Sequence, residues 1–234
     1  MINSVSLEYF IKEAIKLLKE IDLLKDSNIY EIGNHSEEFK KISRGNRHTE
    51  IYNCAIENLD YEILLKDDSI FQFSLNSSGV LRYCFIQNPS IFVDKFDYLR
   101  EFYSPEELFT YPDEELLSTI NEEEYEQFVD DQNLNLEANI FRYDLDSAGY
   151  SPLLHSYSHI HIGLNENTRL SCSKILTPLK FVIFSIKNTY YKEWKNALKL
   201  NEALNQKIKE SKDQCINLPK EFWSNDETFE LYII

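Results

Sequence analysis

The sequence predicts an α+β fold: a single domain over residues 1–234, with an antiparallel sheet, helices mainly on one face, and an acidic helical insertion. Three observations predict it. Short aromatic and β-branched runs, divided by turn residues, recur before residue 87 and again after residue 138. Apolar residues at helical spacing open the chain and return after Thr177. A hydrophobic share of 43% and an aromatic share of 14% over 234 residues supply area for a substantial core.

Each element follows from local pattern. Residues 4–24 carry Leu7, Ile11, Ala14, Ile15, Leu18 and Ile21 at three- and four-residue spacing, which reads as an amphipathic helix. A polar stretch over residues 25–47 holds a short helix after Ser36. Tyr61-Glu-Ile-Leu-Leu, Ile70-Phe-Gln-Phe-Ser and Val80-Leu-Arg-Tyr-Cys-Phe-Ile then read as strands. Asp67-Asp68 and Asn76-Ser-Ser-Gly79 separate them as turns, so the three form an antiparallel meander. Over residues 101–131 acids dominate. Ser104-Pro105-Glu106-Glu107 and Asn121-Glu122-Glu123-Glu124 are helix starts, with a capping side chain and early acids. Two short helices joined near Tyr111-Pro112 are expected there. Strands resume with Ala138-Asn-Ile-Phe-Arg-Tyr-Asp144, a His-rich strand over residues 155–164, and Thr168-Arg-Leu-Ser-Cys172. Thr177-Pro178 caps a buried helix, a polar helical segment covers residues 195–213, and Phe229-Glu-Leu-Tyr-Ile-Ile234 closes the chain as a strand.

Composition excludes several function classes. The five glycines are dispersed, which removes the glycine-rich phosphate cradles of dinucleotide and P-loop enzymes. A net charge of −16 opposes broad nucleic-acid binding, although a local positive cleft is compatible with it outside the acidic stretch. Cys54, Cys84, Cys172 and Cys215 form no C-x-x-C pair and read as reduced thiols. No basic region with an apolar run opens the chain, and the longest apolar stretch, residues 181–186, is too short for a bilayer. A cytoplasmic protein with no membrane partner is expected.

The chemistry-bearing stretch is His155-Ser-Tyr-Ser-His159-Ile-His161. On a strand, alternation places His155, Tyr157, His159 and His161 on one polar face and Ile160, Ile162 and Leu164 on the other. Histidines at i and i+2 stand roughly 6–7 Å apart along a strand, a spacing that suits two phosphate oxygens or one metal ion. Arg142 and Asp144 share a face of the preceding strand, and Arg169 follows the turn at Gly163-Leu-Asn-Glu-Asn-Thr. A guanidinium fork holds phosphate oxygens, and a carboxylate bonded to an imidazole fixes its tautomer. These are the parts of a phosphodiester-cleaving site. His159-Ile-His161 with His155 or Asp144 would alternatively suit zinc or manganese. A Cys172 nucleophile beside a histidine base is a weaker option, since its Ser-Cys-Ser context has no distinctive feature.

The order Phe141-Arg-Tyr-Asp144, His155-x-x-x-His159-x-His161-x-Gly163, Arg169, Thr177-Pro178-x-x-Phe181 resembles an uncharacterised bacterial family, DUF2290. The resemblance spans most of the chain, with its motif residues in the C-terminal half. In that family the first histidine is often followed by proline. Ser156 stands there instead, so His155 departs from the pattern. Over residues 141–169 the chain is also similar to small toxins of bacterial toxin–antitoxin pairs, which implies a nuclease role in toxin or antiphage defence.

Three readings result. The first is an RNA- or nucleotide-directed phosphodiesterase without cofactor. His159 and His161 form its acid–base pair, with His155 beside them; Asp144 orients, and Arg142, Arg169 and Tyr157 bind the substrate. The second is a non-catalytic module whose acidic helices bind a basic protein partner. The third is a divalent-metal-dependent hydrolase using the same histidines.

Overall fold

The computed structural model describes residues 2–45, 47–76, 79–90, 94–134, 138–164 and 168–230. The chain divides into two compact units, Met1–Gln87 with Asn139–Ile234, and Asn88–Ala138. The protein is of the α+β class.

In the larger unit, α1 (Ser4–Glu20) starts at a reciprocal Asn3–Ser6 cap and buries Leu7, Ile11, Ala14, Ile15, Leu17 and Leu18. It stops before residue 24 because Asp22 adopts a left-handed conformation (φ 60°). Leu23 N–H then donates to Leu18 O (2.9 Å) and Asp22 N–H to Lys19 O (3.2 Å), a paired C-terminal closure of the helix. The chain turns into β1 (Leu24–Ser27), an element the polar composition did not announce. Next come α2 (Glu37–Ile42), capped by Ser36 as expected, and α3 (His48–Glu57), which sequence reading missed.

The sheet is completed by β2 (Ile63–Leu65), β3 (Ile70–Leu75), β4 (Leu81–Ile86), β5 (Ile140–Leu145), β6 (Ser158–Ile162) and β7 (Arg169–Ser171). Its seven strands lie in chain order and every neighbouring pair is antiparallel. The meander therefore extends across the whole sheet. Of the turns expected between strands, residues 77–78 and 165–167 lie outside the described residues.

Alternation gives the sheet two unlike faces. One carries Phe71, Phe73, Tyr83, Phe85, Phe141, Tyr143 and Ile160 into the main core. Cross-strand rings stack there, Tyr83 on Tyr143 at 5.1 Å and Phe85 on Phe141 at 5.9 Å between centroids. Against this face pack α1 and α8 (Pro178–Thr189), the latter started by the Thr177 cap and Pro178. Trp194 of α9 (Tyr191–Leu200) and Leu204 of α10 (Glu202–Asp213) join the same core. On the opposite face, Leu64, Ile70, Ile86 and Ile140 meet Phe39, Ile51, Tyr52 and Ala55 of α2 and α3. The remainder of that face, towards β7, is polar.

A two-stranded ladder, β8 (Lys174–Ile175) with β9 (Ile216–Asn217), ties the segment before α8 to the one after α10. The expected closing strand is not formed over its described part: Phe229 and Glu230 belong to α11 (Asn225–Glu230). Ser224 Oγ accepts from Glu227 N–H, and Glu227 Oε2 from Ser224 N–H, so a capping box outweighs the β-propensity of the apolar residues. Residues 231–234 of that expected strand lie outside the described residues.

The smaller unit contains α4 (Lys95–Leu99), α5 (Pro105–Thr110), α6 (Asp113–Ser118) and α7 (Glu122–Leu134). The Ser104–Glu107 capping box forms as the sequence predicts. Its packing centres on the buried Tyr98, whose ring meets Phe102, Tyr125 and Phe128 at 5.0–5.5 Å.

Candidate functional site

Sheet register assembles the polar face. Across β5 and β6, Arg142 pairs with His161 and Asp144 with His159. Across β4 and β5, Arg82 pairs with Asp144, and across β6 and β7, His161 pairs with Arg169. Paired residues share a face, so five charged or titratable side chains of the three strands β4, β5 and β6 gather on one patch.

Asp144 is its hub. Arg82 Nε donates to Oδ1 at 2.7 Å and Arg142 Nε to Oδ2 at 2.8 Å, while His161 Nε2 lies 3.3 Å from Oδ2. His161 Nε2 is also 3.0 Å from His159 Nε2. The other nitrogen of His159, Nδ1, donates to Ser156 O at 2.7 Å. Because a carbonyl only accepts, Nδ1 carries the proton of the neutral ring and Nε2 its lone pair. His161 Nδ1 is buried with no hydrogen-bond partner among the described residues. Ligand atoms of Asp144, His159 and His161 all stand within 4.8 Å of one another.

Exposure falls steeply across the patch: the Arg82 side chain is 58% exposed, Arg142 29%, Asp144 9% and His161 5%. The site faces solvent through its arginines. Burial opposes ionisation of Asp144, but the His161 hydrogen bond and the two guanidiniums outweigh it and hold the carboxyl well below the usual carboxylate range. Burial lowers His159 to about 4, with the His161 ring adding to the effect against the Ser156 hydrogen bond. His159 is therefore neutral at pH 7. Two guanidiniums on one carboxylate leave a local positive charge in a chain whose net charge is −16.

The structure brings together Arg142, Asp144, His159 and His161, but not in the register expected for the surroundings. The histidines are buried rather than presented outward, and Ile162 is the exposed residue of β6. Tyr157 precedes β6. Its ring stacks on Phe222 at 4.2 Å within the main core, so it does not share the histidine face. His155 also lies off the strand, in a bridge to Ser151, with its ring 4.9 Å from that of His159. The loop before it comes so close that a Cβ on Gly149 would stand 2.7 Å from His155 Cε1. Arg169 pairs with His161 in register, yet it is exposed and, among the described residues, makes no hydrogen bond to the cluster. Burial pushes the Cys172 thiol up to about 12, so it is no thiolate nucleophile at neutral pH. Sequence reading missed Arg82, an arginine amid the apolar β4 run. That interruption was the available signal.

Residues 18–226 match the family model DUF2290, an uncharacterized conserved protein. The chain belongs to this family. No curated protein and no solved structure matches it. No helix among the described residues is long and apolar enough to cross a membrane.

Proposed function

We propose that this DUF2290 member is a phosphodiesterase, cleaving RNA or a nucleotide at the patch built on β4–β6. The observation that carries this reading is the pair of guanidiniums locked by Nε onto Asp144, beside two imidazoles. Held through Nε, each guanidinium keeps its terminal nitrogens as donors for an anion, and Arg82 and Arg142 are the most exposed members of the cluster. A phosphate gripped there brings its reacting centre towards the histidine nitrogens. Asp144 fixes the arginines and orients His161. Arg169 at the start of β7 extends the positive surface for a longer substrate. The context proposed for this activity is a toxin or antiphage-defence system acting inside the cell.

The test is cleavage of single-stranded RNA and of small nucleotides by the purified chain. Replacing His159 or His161 by alanine is expected to lower turnover about 10²–10⁴-fold, whereas Arg142→Ala mainly raises KM. Full activity in both histidine variants would exclude the cluster as the catalytic centre.

A second reading is supported by an open pocket of about 390 Å³ in the smaller unit, where Tyr98, Phe102 and Phe128 meet Glu123 and Glu124. Aromatic faces beside carboxylates suit an ammonium or guanidinium side chain. The same unit holds such a pair internally, with Lys95 Nζ over the Tyr125 ring and bonded to Glu122. An arginine-rich peptide that binds at low salt and is released at high salt, with Phe102→Ala abolishing binding, is the result this module reading requires.

A further inference from the structure

We infer that Asp144, His159 and His161 are the ligands of one divalent transition-metal ion of the class that imidazole prefers, zinc among them. The inference rests on the converging atoms themselves and only its phosphate linkage, below, rests on the phosphodiesterase reading.

An acid–base pair needs two nitrogens directed separately at a substrate. Here both Nε2 atoms face each other at 3.0 Å, and the second also faces Asp144 Oδ2 at 3.3 Å. The proton count makes this arrangement unfavourable without a cation. His159 spends its N–H on Ser156 O, which leaves a lone pair on Nε2. Asp144 Oδ2 presents another. One N–H on His161 Nε2 would have to serve both acceptors. A second proton on His161 would add a positive charge in a buried position beside two guanidiniums. With the His161 proton on Nδ1, its Nε2 offers a third lone pair, and a metal ion at the common point satisfies all three at once.

Two of the three distances between ligand atoms agree with that occupant, and the third lies within 4.8 Å. Tetrahedral ligands about 2.0–2.1 Å from zinc stand about 3.3 Å apart, against 3.0 and 3.3 Å in the cluster. The surroundings also match a ligating role. The His159 Nδ1–H bond to a backbone carbonyl fixes ring orientation and tautomer, and the arginines anchor the carboxylate. Magnesium and calcium prefer all-oxygen shells, which two imidazoles do not provide. Three protein ligands leave a coordination position for water or a substrate oxygen, the arrangement of a catalytic rather than a structural site.

Arg82 and Arg142 add a consequence. A dication beside two guanidiniums is repelled by them, and a phosphate lying against all three relieves that repulsion. Metal and phosphate affinities therefore rise together, each by the same factor.

The experiment uses the full chain, stripped with chelator and titrated with Co²⁺ followed through its visible absorption, then displaced by Zn²⁺. One equivalent is expected, and X-ray absorption of the zinc form is expected to show two imidazole ligands. His161→Gln and Asp144→Asn, checked for folding by circular dichroism, should weaken Co²⁺ binding at least tenfold. No saturable binding, or a zinc form without directly bound imidazole, would overturn the site even if neither variant folds. An undiminished affinity in a folded His161→Gln variant would do the same. Inorganic phosphate should tighten Co²⁺ binding several-fold. A metal that binds as described but ignores phosphate and supports no cleavage leaves the metal site standing and removes the phosphodiesterase reading.

Discussion

Both oxygens of Asp144 are engaged, Oδ1 by Arg82 and Oδ2 by Arg142 and His161, and the carboxylate itself is buried. Removing it strands a half-buried guanidinium and a buried imidazole. Asp144→Ala is therefore expected to cost about 3–5 kcal/mol, the range for breaking a buried pair from one side. Arg82 is the contrasting case. Its side chain is 58% exposed and Arg142 remains on the carboxylate after its loss, so Arg82→Ala is expected to cost about 1 kcal/mol or less. Urea denaturation midpoints at constant slope compare the two; equal losses would mean that Asp144 is not the hub. Period-two alternation was enough to put Arg142 with Asp144, and His159 with His161, on one face of their own strands; the β5–β6 register then joins the two pairs. Alternation could not supply Arg82, because that pairing depends on the β4–β5 register, which no local pattern encodes. It misplaced Tyr157 because β6 begins at Ser158, and before that point alternation no longer governs which way a side chain points.

Among the elements, those with side-chain signals were legible: the Ser36, Ser104 and Thr177 caps each start the helix expected of them. The missed ones lack such punctuation. α3 has no serine, threonine or aspartate cap, and it ends at Leu59 in a left-handed conformation (φ 55°), where glycine would have signalled a stop. Its attachment has a pH consequence. His48 Nε2, in the first turn of α3, donates to Gln87 O just after β4 at 2.8 Å. Burial lowers its pKa, against the backbone hydrogen bond, which raises it. In the unfolded chain His48 titrates at about 6.5 and so takes up the proton before it does in the folded chain. Stability contributed by neutral His48 is thus present above that value and lost as pH falls below it. His48→Gln should flatten the decline of Tm between about pH 7 and 5 relative to the wild type. A parallel decline in both proteins would show that His48 does not carry it.

At the scale of the molecule, the acidic stretch forms a unit of its own inserted between two strands that pair directly. β4 and β5 are antiparallel neighbours, with Ile86 opposite Ile140. Just beyond them, Gln87 N–H donates to Asn139 O at 3.0 Å and Asn139 N–H to Gln87 Oε1 at 2.9 Å. The hairpin is closed at its base before residues 88–138 begin, so its geometry needs nothing from them beyond a connection. Every member of the Asp144 cluster lies in the larger unit. Replacing residues 88–138 by a short Gly-containing hairpin loop is therefore expected to leave a folded, cooperative protein that takes up one equivalent of Co²⁺ with unchanged affinity, since loop closure over so few residues costs little once β4 and β5 are paired. The same replacement removes the Tyr98 pocket and with it any affinity for an arginine-rich peptide. Retained metal binding with lost peptide binding would assign one chemistry to each unit. Loss of metal binding in a folded shortened chain would show that the insertion completes the site, and the cluster would then have to be understood as one part of a larger centre.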